Sequence, residues 1–298
     1  GKKILITGGA GFIGSNLTTN LQKKYPDNKY FVIDNFSSGN SDNLFGFKGD
    51  IITANIAEIN LASHFDKLDF IFHQAAITDT TVFDEKKMMF NNVDGFKNVL
   101  EFAKKCKAKL IYASSAAAYG HSLPPMIVEK NENPANVYGL SKLNADNIAR
   151  ENFNKLPIIG LRYFNVYGPK EKHKGKMASM VWQLYLQMKE GKRPRIFKYG
   201  EQKRDQVYVK DIVKANLLAL ECPKSGIFNV GTGKATTFNE IIKNLNEILG
   251  TNLEPEYLDN PYEYYQEYTE ADLTETKKYL GYVPEYDIKK GIKDYFKP

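Results

Sequence analysis

The sequence predicts an α/β protein built on a doubly wound parallel sheet, and three observations predict it. A short apolar run at residues 4–6 passes into Gly8-x-x-Gly11-x-x-Gly14 and then into an amphipathic stretch. Asp34 ends a second apolar run, twenty residues after Gly14. Strand and helix patterns then alternate as far as residue 161, which is typical of a Rossmann-like sheet with helices on both faces.

The glycine pattern predicts a dinucleotide-binding turn between the first strand and a helix over residues 12–24. Glycines there let the backbone turn tightly, approach a pyrophosphate and pack the helix on its strand. The phosphates would lie over the free N–H groups at the positive end of the helix. Asp34 would accept a hydrogen bond from the adenosine ribose.

The rest of the first half follows from apolar runs of strand length and from helical periodicity. Strands are predicted at residues 51–54, 67–73, 109–113 and 157–161. Helices are predicted over residues 83–105 and over residues 137–152, where Asn136 is a good N-cap. The first of these helices would place four apolar side chains on one face: Phe90, Val93, Phe96 and Leu100.

Beyond residue 162 the regular alternation stops, which indicates a smaller substrate domain. Residues 165–171 resemble a loop. Helices are predicted at residues 177–190, 211–220, 238–249 and 270–280, and short strands at 194–197, 206–209 and 226–230. We therefore expect residues 1–165 to bind the dinucleotide, with a return of the chain at about 205–230, and residues 166–298 to bind mainly substrate.

The composition argues against several classes of protein. Hydrophobic residues are 42% and charged residues 26%, which is ordinary for a globular protein with a core. The net charge of +6 is spread along the chain, so a cleft for a small anion is favoured over a nucleic-acid surface. No apolar run approaches the roughly 18 residues that span a bilayer. A strand begins almost at once, leaving no room for a signal peptide, so we expect a cytoplasmic protein.

Neither the cysteines nor the histidines predict a metal site. Cys106 and Cys222 are far apart and are expected to be reduced thiols. The histidines show no ligand spacing; they are His64, His73, His121 and His173.

Tyr138 and Lys142 are the leading catalytic candidates. Four residues apart on a predicted helix, they lie one turn from each other on the same face. A free phenol titrates at about 10, and a nearby ammonium and a positive nicotinamide ring would lower that pKa. Tyr138 would then exchange a proton with a substrate hydroxyl while hydride moves to the ring. Ser115, at a strand end, would hydrogen-bond the same oxygen.

Over nearly its whole length, the chain resembles extended short-chain dehydrogenases/reductases that act on nucleotide-activated sugars. The shared motifs are residues 7–14, His73-Gln74-Ala75-Ala76, Asn92, Ser114-Ser115 and Tyr138-x-x-x-Lys142. More narrowly, it resembles the ADP-heptose 6-epimerases in longer stretches, which are residues 76–81, 162–169, Glu171-x-His173-Lys174-Gly175, 177–179 and 203–205.

This resemblance implies inversion at C6 of ADP-D-glycero-D-manno-heptose without net redox change, a step toward lipopolysaccharide core. Bound NADP would take hydride from C6, and the 6-keto sugar would accept it on its other face. Opposite faces need two acid/base groups, which the resemblance assigns to Tyr138 and Lys174. Spacing alone leaves Lys174 as one solvated lysine among Lys170, Lys172 and Lys176, whereas the His-Lys-Gly context favours catalysis.

The resemblance assigns the remaining site residues by position. Cofactor contacts are expected from Gly8, Gly11, Phe12, Ile13, Gly14, Asp34, Asn35, Lys48, Asn55, Ile56, Gln74, Ala75, Ala76, Asn92, Tyr138, Lys142 and Val166. Substrate contacts are expected from Ser115, Asn165, Lys174, Lys176, Gln183, Phe197, Arg204 and Tyr265. A guanidinium fork such as that of Arg204 suits diphosphate oxygens, although a surface salt bridge is its alternative role.

The cofactor could be NADP or NAD. An acid such as Asp34 ordinarily repels a 2′-phosphate and favours NAD. The subgroup nevertheless uses NADP with an aspartate at this position, the phosphate being received by Asn35 and nearby lysines. We therefore expect NADP, with Lys48 as the lysine and NAD as the alternative.

Other functions stay open beside this one. A UDP-hexose 4-epimerase would share the Ser-Tyr-Lys set. A 4,6-dehydratase is disfavoured, because Ala116-Ala117 stands where such enzymes carry Asp-Glu. A dinucleotide-sensing regulator would keep the fold but typically lacks the tyrosine or the lysine. The resemblance further implies a homo-oligomer.

Overall fold

The computed structural model describes residues 1–80, 82, 84–261 and 267–298. Its strands are β1 (Lys3–Thr7), β2 (Lys29–Asp34), β3 (Asp50–Thr53), β4 (Phe70–His73), β5 (Lys109–Ser115), β6 (Ile158–Tyr163), β7 (Asn165–Tyr167), β8 (Arg195–Phe197), β9 (Lys203–Arg204), β10 (Gln206–Tyr208), β11 (Gly226–Val230), β12 (Thr236–Thr237) and β13 (Glu256–Leu258). Its α-helices are α1 (Phe12–Lys24), α2 (Glu85–Met89), α3 (Gly95–Cys106), α4 (Val137–Arg150), α5 (Met180–Lys189), α6 (Val209–Glu221), α7 (Phe238–Leu249), α8 (Thr274–Leu280) and α9 (Ile288–Tyr295).

Seven parallel strands form the central sheet in the order β11-β6-β5-β4-β1-β2-β3, which confirms the predicted doubly wound fold. In this register Thr7 lies beside Ile33 on one side and His73 on the other. The chain segments that follow these three residues therefore emerge together at the carboxyl edge of the sheet. Ligands bind at this edge in open α/β sheets.

Both faces of the sheet are covered by apolar side chains. On β1, Ile4 and Ile6 belong to one buried cluster and Leu5 to the other, as the alternation of side chains along a strand requires. A third cluster lies in the second half of the chain, around Leu184, Ile241 and Ile292. The smaller two-stranded sheets β7–β10, β9–β12 and β8–β13 accompany it.

The predicted helix over residues 83–105 is interrupted. A π-helical turn at Phe90–Asp94 separates α2 from α3, and Phe83 lies outside the described residues. A π-helical turn holds more residues than an α-helical turn, so the residues before it are rotated about the helix axis. Phe90 is therefore 36% exposed, whereas Met88 is buried. The prediction that Phe90 shares the buried face of Val93 was therefore wrong.

Two predictions in the second half also need correction, and one helix there was not predicted. The predicted loop at residues 165–171 begins with β7, because its backbone pairs with β10. Residues 270–273 are not helical, since Ala271 donates its N–H to Asp205 and α8 begins only at Thr274. Helix α9 was missed, although Asp287 caps it and its apolar residues recur at helical spacing.

In the described part of the chain no helix combines the length and apolarity needed to cross a bilayer. Nor do three or more His, Cys, Asp or Glu side chains group there as metal ligands.

Candidate active site

A cavity of about 1240 Å³ lies along the carboxyl edge of the sheet and extends to the second half of the chain. It collects most of the site residues predicted from the sequence. On the cofactor side they are Gly8, Gly11, Phe12, Ile13, Gly14, Asp34, Asn35, Asn55, Ile56, Gln74, Ala75, Ala76, Tyr138, Lys142 and Val166. On the substrate side they are Ser115, Asn165, Lys174, Lys176, Gln183, Phe197 and Arg204. Tyr265 lies outside the described residues.

The glycine turn forms a close-fitting cradle at one end of the cavity. A Cβ atom on Gly14 would lie 2.1 Å from the Gly8 carbonyl oxygen, and one on Gly8, whose φ is +67°, would lie 2.7 Å from Ala75 N. A Cβ on Gly11 would meet only the Gly8 oxygen, at 3.3 Å. No side chain caps α1 and no acid lies in its first turn, so its positive end remains available to an anion.

Asp34 is held firmly at the tip of β2. Its Oδ2 accepts from Ala10 N at 3.0 Å and its Oδ1 from Phe36 N at 2.8 Å. It is 8% exposed and lines the cavity. Each carboxylate oxygen keeps a lone pair for a ribose hydroxyl.

Lys48, predicted to bind a 2′-phosphate, does not line the cavity. Its side chain is exposed, and its backbone N–H donates to Gln22 Oε1 at 3.0 Å while its carbonyl accepts from the same amide group. Gln22 lies ten residues into α1, about 15 Å along the helix from the end that would face phosphates. The contact with Gln22 therefore holds the Lys48 backbone away from that end, and a contact of its side chain with a 2′-phosphate stays a prediction.

Gln74 presents an unpartnered donor. Tyr163 donates its hydroxyl to Gln74 Oε1 at 2.9 Å, and Asn216 donates to the Tyr163 oxygen at 3.0 Å. This chain orients the Gln74 amide and leaves its Nε2 buried without a hydrogen-bond partner among the described residues. A buried donor at a cavity wall fits a bound group that carries an acceptor.

Asn92 lies behind the cavity wall rather than in it. It is 4% exposed, and its amide binds both the N–H and the carbonyl of Ile77, at 2.8 and 3.0 Å, and donates to Ser141 Oγ at 3.0 Å. Asn92 therefore supports the segment after β4, which does line the cavity, and the prediction of direct cofactor contact is corrected.

The Ser115, Tyr138 and Lys142 side chains meet where β5 ends against the first turns of α4. Asn136 caps this helix through its Oδ1, which accepts from Gly139 N at 2.7 Å. Burial raises the pKa of Tyr138, and its hydrogen bond with Ser115 opposes the rise. Burial lowers the pKa of Lys142 to about 8, and the charge of Asp146 opposes that change.

In the protein by itself, burial outweighs any lowering of the Tyr138 pKa by Lys142, and the added effect of a nicotinamide ring stays a prediction. The ammonium donates to the Ala113 carbonyl at 2.9 Å, and its Nζ lies 5.9 Å from the centre of the Tyr138 ring. With the lysine bound to the backbone in this way, loss of hydration dominates and raises the phenol pKa.

A buried charge network lies behind the Ser115, Tyr138 and Lys142 side chains. Asp146, one turn beyond Lys142, accepts from Tyr112 Oη at 2.7 Å, Ser114 Oγ at 2.8 Å and Arg162 Nε at 2.9 Å. Asp146 and Arg162 are both fully buried. The network joins α4 to β5 and β6, so it holds the helix that carries Tyr138 against the strand that carries Ser115.

Lys174 reaches the same cavity from the segment between β7 and α5. It is half-buried, with its Nζ 5.6 Å from the centre of the Phe12 ring. Burial lowers the pKa of this ammonium, and the charge of Glu171 opposes that change. The solvated-lysine alternative does not describe this environment.

Arg204 also lines the cavity. It is 6% exposed, so it is not the surface residue that its alternative role required. Its guanidinium carbon lies 5.8 Å from the centre of the Phe238 ring, which orients the fork.

Several lining residues were not assigned from the sequence. Lys87, His173 and Arg195 all face the cavity. His173 belongs to the His-Lys-Gly context of Lys174, and its Nδ1 lies 3.2 Å from the Asn43 amide nitrogen. Arg195 begins the short strand β8, and no motif around it in the sequence distinguishes it from a surface arginine.

Comparison with known proteins places the chain among sugar-nucleotide enzymes. Residues 4–231 match the family described as the NAD dependent epimerase/dehydratase family. A protein of Brachyspira hyodysenteriae named ADP-L-glycero-D-manno-heptose-6-epimerase is 40% identical over 309 residues, covering 98% of this chain and 96% of the relative.

Two solved structures extend the likeness to three dimensions. The Helicobacter pylori ADP-L-glycero-D-manno-heptose-6-epimerase has a TM-score of 0.94 and 45% identity, covering 99% of this chain and 95% of that one. The UDP-glucuronic acid 4-epimerase of Bacillus cereus, in complex with UDP-glucuronic acid and NAD, has a TM-score of 0.88 and 28% identity, covering 98% and 97%.

Proposed function

Because the chain belongs to the NAD dependent epimerase/dehydratase family, we propose that it converts ADP-D-glycero-D-manno-heptose to its L-glycero epimer at C6. The names of the Brachyspira and Helicobacter relatives support this substrate. The observation that carries the proposal is one cavity lined both by Ser115, Tyr138 and Lys142 and by a second half-buried lysine, Lys174.

In this mechanism the chain's own residues manage protons and orientation. The chemistry that a bound nicotinamide dinucleotide supplies is removal of hydride from the sugar carbon and its return. Tyr138 exchanges the proton of the C6 oxygen on one face, and the Ser115 hydroxyl helps to hold that oxygen. Lys174 exchanges it on the other face. Lys142 adds positive charge that favours the phenolate form of Tyr138.

The glycine cradle, Asp34 and the unpartnered Gln74 amide would hold the dinucleotide. On the same basis we propose that residues 1–165, with the return at about 205–230, bind the cofactor and that residues 166–298 bind mainly the sugar nucleotide. The cytoplasmic location and the homo-oligomeric state stay predictions.

For the form of the cofactor we propose NAD, the alternative to the NADP expected from the resemblance. That expectation placed the 2′-phosphate against Asn35 and nearby lysines, and Lys48, the lysine named for this role, does not line the cavity. The lining side chains that follow Asp34, namely Asn35, Ser37 and Ser38, are uncharged. Burial lowers the pKa of His173, and the charge of Lys174 lowers it further. The imidazole is therefore neutral at neutral pH. A 2′-phosphate beside the Asp34 carboxylate would be repelled.

Cofactor released from the purified protein by denaturation, identified by mass spectrometry, tests this choice. We expect NAD, and we expect the emptied protein to bind added NAD more tightly than NADP. Recovery of NADP, or tighter binding of NADP, would contradict the proposal.

The reaction itself is tested by proton NMR, with no cofactor added. The purified protein is incubated with ADP-D-glycero-D-manno-heptose and, separately, with UDP-galactose. We expect the heptose alone to be converted to its L-glycero epimer. Conversion of UDP-galactose alone would favour the second candidate, a UDP-hexose 4-epimerase, which the likeness to the Bacillus cereus enzyme keeps open. No conversion of either would refute both.

A further inference from the structure

Glu171 is a fully buried carboxylate on the segment that carries Lys174, and it does not line the cavity. Its Oε1 accepts from Ser179 N at 2.6 Å. Its Oε2 accepts from Gly168 N at 2.9 Å, from Ser179 Oγ at 3.0 Å and from the hydroxyl of Tyr295 at 2.9 Å. Four donors on two separated parts of the chain therefore converge on one carboxylate.

These bonds fasten both ends of residues 168–179, which we call the lysine segment. Gly168 begins it and Ser179 ends it, and between them the segment is a short 3₁₀ turn broken at Gly175, where φ is +55°. The Glu171 backbone carbonyl also accepts from Lys174 N at 2.9 Å. Lys174 therefore lies three residues after Glu171, and the Glu171 carboxylate holds the two ends of the segment together.

Tyr295 brings the C-terminal helix α9 into this anchor. Its ring stacks on Phe296 with ring centres 4.0 Å apart and on Trp182 with centres 6.0 Å apart. Burial, followed by the charge of Glu171, raises the pKa of the Tyr295 hydroxyl, which therefore stays protonated and donates. A hydroxyl mounted on a packed aromatic cluster is a rigid support for the carboxylate.

We propose that Glu171 is a positioning residue for Lys174 and that Tyr295 completes its anchor, so that the C-terminal helix sets the place of one of the two acid/base groups. The inference rests on the proposed function, in which Lys174 acts on one face of the sugar carbon.

The donor geometry requires a carboxylate. A glutamine at position 171 would offer one acceptor oxygen and one NH₂ donor. The hydroxyls of Ser179 and Tyr295 can rotate to meet a donor, but the N–H groups of Gly168 and Ser179 cannot. Whichever way the amide is turned, it would face one of these backbone N–H groups with its own N–H, and one end of the lysine segment would be released.

The experiment compares Y295F and E171Q with a matched control, Y208F. Tyr208 belongs to the same aromatic cluster and donates its hydroxyl to Asp294 on α9 at 2.8 Å, not to Glu171. Y295F and Y208F each remove one hydroxyl that bonds a carboxylate at α9 or beside it, whereas E171Q changes a carboxylate to an amide. Only Y295F and E171Q affect the carboxylate that holds the lysine segment.

The readout is reduction of the bound cofactor in a single turnover, followed by nicotinamide absorbance, with each C6 epimer of ADP-heptose supplied separately. Because Lys174 acts on one face, we expect Y295F to slow reduction by one epimer roughly tenfold and E171Q to slow it further. Reduction by the other epimer, and both reactions in Y208F, should keep the wild-type rate. Equal slowing with both epimers, or with neither, would overturn the inference.

A second readout does not depend on catalysis. Amide hydrogen exchange of residues 168–179 should be faster in Y295F and E171Q than in the wild-type protein and in Y208F. Unchanged exchange in both variants would overturn the anchor itself. If the wild-type protein reduced its cofactor with neither epimer, the proposed function would fall and the catalytic part of the inference with it, whereas accelerated exchange would still support the anchor.

Discussion

The Lys142 ammonium donates to the Ala113 carbonyl oxygen at 2.9 Å, while its Nζ lies 5.9 Å from the centre of the Tyr138 ring. The lysine is therefore held by the strand that ends in Ser115, and we expect it to act on the phenol through space. Its ammonium would place a positive charge at the meeting point of β5 and α4. Predictions about catalysis follow from this arrangement.

Replacing Tyr138 by phenylalanine should remove proton exchange on one face of the sugar carbon. We expect turnover of ADP-heptose to fall by about 10²- to 10⁴-fold, the usual contribution of a general acid/base group. The thermal midpoint should stay near that of the wild-type protein, since only a hydroxyl is lost. Full activity of this variant in the NMR assay would refute the catalytic assignment.

Turnover should decline on the alkaline side. Burial lowers the pKa of Lys142 to about 8, so its ammonium form, and with it the charge that favours phenolate, is lost as the pH rises above that value. The measurement is kcat/KM against pH. A Lys142→Arg variant should be less active but should lack this decline, because a guanidinium stays charged. An identical alkaline decline in both proteins would assign it to another group.

Acidification should destabilise the fold through His73. The Thr7 hydroxyl accepts from the backbone N–H groups of Gln74 and Ala75, so its single proton must go to His73 Nδ1, 2.7 Å away, which requires a neutral imidazole. Burial, followed by the charge of Lys142, lowers the pKa of His73 to about 3.

The unfolded chain binds more protons than the folded one below the ordinary histidine pKa, so stability is lost as the pH falls. We expect about 2 kcal/mol less stability at about pH 5 than at about pH 6.5 from this group. Urea unfolding of the wild-type protein and of His73→Gln, whose amide oxygen can still accept from Thr7, measures it. The difference between the two proteins should shrink with acidification, and a constant difference would count against the assignment.

Replacing two glycines of the glycine turn by alanine should have different effects, one on stability and the other on binding of the dinucleotide. At Gly14 a Cβ would lie 2.1 Å from the Gly8 carbonyl oxygen, so α1 must shift, and we expect a loss of several kcal/mol of stability. At Gly11 it would meet that oxygen at 3.3 Å, so folding should be nearly unchanged while binding of the dinucleotide weakens. Thermal unfolding and cofactor titration of both variants distinguish these effects. Equal destabilisation by the two changes would contradict this interpretation.

Features encoded within a few residues were readable from the sequence. Helix α1 spans Phe12–Lys24 as its periodicity predicts, and Asn136 caps α4, because these depend on spacing and on one side chain meeting its own backbone. The carboxyl-edge location of the glycine turn, Asp34 and Ser115 also follows, since parallel strands end at the same edge of a sheet.

Contacts between distant parts of the chain were decided only by tertiary structure. Gln22 draws the Lys48 backbone to the far end of α1, and a π-helical turn exposes Phe90. Asp205 binds backbone N–H groups of Thr232, Gly233 and Ala271, which keeps residues 270–273 out of a helix.

The same distinction separates the two lysines of the site, Lys142 and Lys174. Lys142 could be placed from the sequence, because one helix turn relates it to Tyr138. Spacing alone could not place Lys174, which was assigned only through the resemblance, because its place depends on Glu171, whose partner Tyr295 lies 124 residues away in the chain. The sequence by itself determined the sheet, the glycine turn and the Tyr138–Lys142 pair. Tertiary packing decided which of the other charged side chains are buried at the cavity, since burial depends on neighbours that no local pattern specifies.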